Sequence, residues 1–151
     1  MEFFSASLWP LILALVSGIL MAVQGSLNAA LSKTIGLLEA TFAVHATGLA
    51  VVAAALFLFR MGEGKLAAIG EAPWFSYLGG IVGVFIIYLV AASIPKAGVA
   101  NATTAIIVGQ VLTALAIDHF GVFGLEKMPC SWPQLVGLIL LAAGAKLLLR
   151  M

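Results

Sequence analysis

Polar side chains stand out in this sequence because they interrupt almost continuous apolar runs. Ser17, Met21, Gln24 and Asn28 recur at helical spacing, within ~60° of one another at 100° per residue, with Gly18 and Gly25 beside them. An amide carries two N–H donors and a carbonyl acceptor but no nucleophile. Gln24 and Asn28 can therefore recognise a solute by hydrogen bonds without breaking a bond in it. The same stripe also suits packing between helices, where small residues let backbones approach and amides bond across the contact. In a later run Gln110 is the deepest polar group, with Thr103 on its face and Thr113 and Asp118 flanking it. Asn101 points to the opposite side, in the first turn after Pro95 and Gly98, where a capping role competes with binding. His45 follows Thr41 by one turn, with Gly48 on that face, so its imidazole can bond to a threonine or take up a proton.

Bond-breaking chemistry has little to work with. Asp118, His119 and Cys130 share one connection but lack the spacing of a metal or nucleophile motif, and a single cysteine excludes an internal disulfide. The chain is expected to be no enzyme and to hold no metal or cofactor. No Asp, Glu, Arg or Lys lies near the centre of an apolar run, so a mid-membrane carboxylate of the proton-coupling kind is missing. The nearest acids, Glu39 and Asp118, stand at run ends.

The elements that must position these residues follow from composition. Of 151 residues 64% are hydrophobic and 9% charged, against roughly 25% charged in a soluble domain. Mean hydropathy is +1.22 and is spread along the whole chain, which excludes a soluble globule and a single anchor alike. The charges balance to +1 without a run of one sign, which argues against nucleic acid. Five continuous apolar runs, at residues 8–31, 40–59, 74–94, 99–117 and 133–149, suit helices crossing a core that takes about 20 residues each. All five prolines fall at run starts or in connections by this division. The expected fold is one all-α integral membrane domain of five transmembrane helices spanning 1–151.

Five spans put the termini on opposite sides. Arg60, Lys65 and Lys127 then face Lys33, Lys96, Lys146 and Arg150, three against four, which is almost no bias for fixing one orientation. Trp9, Trp74 and Trp132 all begin runs on one side, where tryptophan anchors helices at the bilayer interface. Both features suit copies inserted both ways: an antiparallel, dual-topology homodimer with ten helices related as inverted repeats. Gly79 and Gly83 have the spacing of a helix crossing, and Lys146 is near enough to the end to reach the headgroups.

Ala22-Val23-Gln24-Gly25-Ser26-Leu27-Asn28, Trp74 with Gly79-Gly80, and Gly109-Gln110 followed by Asp118-His119-Phe120-Gly121 together resemble the YdcZ-like family of the drug/metabolite transporter superfamily. The similarity covers nearly the whole chain. It implies a bacterial inner-membrane protein related to ten-helix transporters built from two inverted halves. It also implies that a single half works as an antiparallel homodimer or with an inverted homologue. The superfamily's small four-helix exporters use a glutamate in the first helix, and the first run here has none. The expectation is thus a small-molecule transporter, an exporter of a neutral or amphiphilic solute, with a cavity lined by Gln24, Asn28 and Gln110. His45, Asn101 and Asp118 are further candidates. A dual-topology channel and a non-transporting membrane scaffold are the alternatives.

Overall fold

The computed structural model describes residues 8–149, so Arg150, counted above among the charges, lies outside them. The regular structure of the described residues is helical throughout: α1 (Leu8–Ile35), α2 (Leu37–Ala53), α3 (Leu78–Ala97), α4 (Val99–Phe120) and α5 (Trp132–Leu148). A π-turn at Ala54–Leu58 prolongs α2, and short 3-10 segments occupy the two longer connections. Leu8–Ile35, Leu37–Leu58, Trp74–Ala97 and Val99–Phe120 are long and apolar enough to cross a membrane. The fifth expected span is a 17-residue apolar helix, which at ~1.5 Å per residue falls a little short of the roughly 30 Å core.

The helices overrun the boundaries expected from charge. Lys33, Glu39, Lys96 and Asp118 lie inside helical turns, because a charged residue in a terminal turn keeps its backbone bonds while its side chain reaches the interface. Pro95 is a correction of the same kind: it lies inside α3 and not in a connection. A proline one turn from a helix end forfeits a single backbone bond, and the Gly98 amide closes that turn on the Ile94 carbonyl at 2.8 Å.

What stops α1 and α3 is glycine. Gly36 (φ 101°, ψ 157°) and Gly98 (φ 85°, ψ 156°) are one-residue connections in a backbone region open essentially to glycine alone. Each accepts the first helical bond of the next helix, from Ala40 and Ala102. The sequences around them match: Gly36-Leu37-Leu38-Glu39-Ala40-Thr41 and Gly98-Val99-Ala100-Asn101-Ala102-Thr103. The chain is therefore two similar helical hairpins followed by α5, an internal repeat shorter than the five-helix unit.

Packing is concentrated at the hairpin end. Every buried residue among those described lies there: Gly25, Asn28 and Ala29 late in α1, Ala40 and Thr41 early in α2, Ala91 and Ile94 late in α3, Ala102 early in α4, and Ala145 late in α5. Alanine and glycine dominate because small residues let helix backbones meet closely where lipid offers no hydrophobic drive for association. The opposite half of each helix contains no buried residue among those described. Trp9, Trp74 and Trp132 stand exposed in that half.

Candidate functional site

The polar stripe of α1 divides along its length. Asn28 is only 5% exposed and sits beside the contact of Gly25 with Val90 and Ile94 of α3. Gln24, one turn earlier on the same face, is exposed, as is Gln110 at the middle of α4. None of these three amides makes a side-chain hydrogen bond within the described residues. Asn28 is enclosed at the packed end, whereas Gln24 is exposed at its edge and Gln110 is exposed beyond it. Gly18 and Gly79 have nothing within 4 Å of an added Cβ and so mark no crossing inside the chain.

His45 is held at the α2–α3 contact. Its Nδ1 lies 2.8 Å from the Thr41 carbonyl, and Thr41 in turn donates its hydroxyl to the Leu37 carbonyl at 2.8 Å. The imidazole Nε2 points at Gly83, where an added Cβ would stand 3.9 Å away. Asp118 is half-buried near the end of α4. Its backbone carbonyl accepts the Met128 amide at 2.8 Å, and His119 Nδ1 accepts the Cys130 amide at 3.1 Å. The loop thus folds back on α4, and these contacts account for His119 as a structural residue.

Asn101 lies apart from the other candidates, in an open cleft of about 810 Å³ between α3, α4 and the end of α5. Ser93 and Lys96 line it with Asn101, over an apolar floor that includes Val90, Ala102 and Ile106. A second recess of about 340 Å³ adjoins it, sharing Ala105 and Leu149 and bordered by Lys146. The sequence marks Asn101 and both lysines without joining them, because only the packing of α5 on α4 brings Lys146 beside the α3–α4 hairpin. Among the described residues no group of three or more His, Cys, Asp or Glu is placed to hold a metal.

The site is therefore a set of neutral amides in an apolar helical frame, with cations confined to its ends. No curated protein and no solved structure matches the chain. The family described as "Putative inner membrane exporter, YdcZ" matches residues 9–147. A multi-pass protein of the inner membrane follows from that match and the four long apolar helices. The family is one of transporters and not of enzymes, and this chain belongs to it.

Proposed function

We propose that two copies of this chain, inserted in opposite orientations, form a ten-helix bundle that exports a small neutral or amphiphilic solute by alternating access. The observation that carries this reading is the position of Gln24 and Gln110. Both are exposed amides near the middle of a long apolar helix and without a partner among the described residues, Gln24 at the edge of the packed level and Gln110 beyond it. An amide facing hydrocarbon without a hydrogen bond costs about 2–7 kcal/mol, so these faces call for protein or a water-filled cavity against them. An inverted copy supplies both, because it sets its own packed end beside the unpacked end of the first. The uncovered helical glycines Gly18 and Gly79 suit the same partner.

In that bundle Gln24, Asn28 and Gln110 line the central cavity, with His45, Asn101 and Asp118 nearer its margins. The absence of charge at the helix centres favours an uncharged or amphiphilic solute, since an ion there would lack a counter-charge. Rocking of one copy against the other opens the cavity to each side in turn. The five-helix unit spans fully in this arrangement, the short α5 being accommodated by local thinning and by the reach of Lys146.

Cysteine accessibility tests the cavity without knowledge of the solute. In a Cys130→Ser background, Gln24→Cys and Gln110→Cys should react with a membrane-impermeant charged methanethiosulfonate. Ile19→Cys, on the far side of α1, should not. Reaction at 24 and 110 as slow as at 19 would sink the cavity. Transport is then checked in proteoliposomes with a panel of uncharged amphiphiles, where Gln24→Ala with Gln110→Ala should abolish any wild-type flux.

A further inference from the structure

The cleft between α3, α4 and α5 has a different chemistry from the amide-lined centre. Lys96 is in the last turn of α3 and Lys146 in the last turn of α5, and both border the joined recesses. Within the described residues neither lysine makes an ion pair or hydrogen bond, and no acidic residue lines either recess. The first turn of α4 opens into the same mouth with no acidic residue and no side-chain cap on Gly98, leaving the positive end of its dipole available to an anion. Below this cationic rim the walls are apolar, formed by Leu89, Val90, Ala102, Ala105 and Ile106. The larger recess lies within the roughly 300–1,000 Å³ of ordinary ligand sites.

We infer that this cleft binds an anionic phospholipid of the surrounding bilayer, its phosphate between Lys96, Lys146 and the start of α4 and its acyl chain against Ala105 and Ile106. The amphipathic layout matches such a lipid: charge at the level where the helices end, and apolar surface toward the membrane centre. A second copy is a poorer match. An inverted partner would bring its long connections to this membrane face, and those carry both signs, with Glu63, Glu71 and Glu126 beside Arg60, Lys65 and Lys127. A rim of one sign fits a uniformly anionic group better. The cleft shares Asn101 with the margin of the proposed solute path but neither of its central amides, Gln24 and Gln110.

The full chain in detergent is titrated with phosphatidylglycerol, with phosphatidylcholine and with glycerol phosphate, and bound species are counted by native mass spectrometry. Wild type should retain phosphatidylglycerol in preference to phosphatidylcholine, and glycerol phosphate should not compete. Each lysine near a headgroup is worth about fivefold, so Lys96→Gln with Lys146→Gln should weaken phosphatidylglycerol binding roughly 25-fold. Lys96→Arg with Lys146→Arg should keep it. Ala105→Trp, which fills the floor and leaves the charges, should lose it as well, and this variant keeps the test sharp if the double glutamine variant unfolds. Undiminished binding by the Gln or Trp variants would overturn the assignment. Equal competition by glycerol phosphate would make the cleft a free-anion site. A change in dimerisation without a change in lipid retention would give the cleft to a second copy.

Discussion

A Cβ built on Gly25 would stand 2.9 Å from Val90 Cγ1 and 3.1 Å from Ile94 Cδ1. Thus α1 and α3 meet where only a hydrogen fits. Ala29, Ile94 and Ala102 form the buried cluster beside this contact, with Val90 packed against it, so three helices are joined at one level. Asn28 is held at the same level, Gln24 adjoins it, and Gln110 stands about two turns beyond it along α4. In the proposed cycle this contact is the fixed end of the chain, and the unpacked halves are what rearrange against the second copy.

Gly25→Ala should therefore be costly although the added group is one methyl. Val90 is β-branched and stiff at χ1, so it cannot swing aside, and overpacking of this kind costs about 1–3 kcal/mol. Thermal unfolding in detergent should show a lowered midpoint for Gly25→Ala and partial recovery in Gly25→Ala with Val90→Ala. Gly18→Ala, with open space around it in the chain, should leave monomer stability unchanged or slightly raised. If Gly25→Ala unfolds with the wild type, the close contact does not hold α1 to α3.

The two hairpin glycines should be similarly intolerant. Both have positive φ, and an alanine in that region costs about 1–3 kcal/mol. At Gly36 the added Cβ would meet only the carboxylate of Glu39, the far end of a flexible, exposed side chain that can swing aside, and at Gly98 nothing lies within 4 Å. Gly36→Ala and Gly98→Ala should thus lower the unfolding midpoint by similar amounts, and adding Glu39→Ala should not recover the loss at Gly36. A much larger loss at Gly36 that Glu39→Ala relieves would show that the carboxylate is held in place.

Much of the frame is legible in the sequence, for reasons that also explain the misses. Continuous apolar runs between charge clusters coincide with the five long helices, four of which are long and apolar enough to span, because in a bilayer length and hydrophobicity decide what can cross. Ends drawn from charge fall short at Lys33, Glu39, Lys96 and Asp118, since charge marks the interface and not the end of hydrogen bonding. The better stop signal is the repeated Gly-x-x-Glu/Asn-Ala-Thr around Gly36 and Gly98. Periodicity puts Gln24 and Asn28 on one face correctly, yet it gives an angle around the axis and says nothing of depth. Only tertiary packing separates a buried Asn28 from an exposed Gln24. The lysine-rimmed cleft is invisible for the same reason: Lys96 and Lys146 are 50 residues apart and border adjoining recesses only through the packing of α5.

His45 and Gly83 make a further test of the α2–α3 contact. The imidazole Nε2 is 3.9 Å from a Cβ at position 83, an ordinary van der Waals separation. Gly83→Ala should be accepted, and the better helix propensity of alanine should offset any small loss. Gly83→Leu must push the ring away and break its Nδ1 bond to the Thr41 carbonyl, lowering the unfolding midpoint. Adding His45→Ala should restore tolerance of the larger side chain at position 83 only if the imidazole and that side chain compete for one space. Additive losses in the double variant would show that they do not.

Orientation can be read from the only cysteine. Cys130 is a free, half-buried thiol just before α5, in the long connection that folds back on α4. Three positive charges against four give little reason for one insertion to prevail. Labelling of intact cells with an impermeant maleimide should then modify about half of the protein, and permeabilisation should expose the rest. His119→Ala removes the acceptor of the Cys130 amide and should speed both fractions equally, because the loop is the same in either orientation. That equality separates a true mixture of orientations from one orientation with a partly shielded thiol. In the second case the variant raises the outside fraction toward completion. In the first it changes only the rate, and the split between the two sides stays where insertion set it.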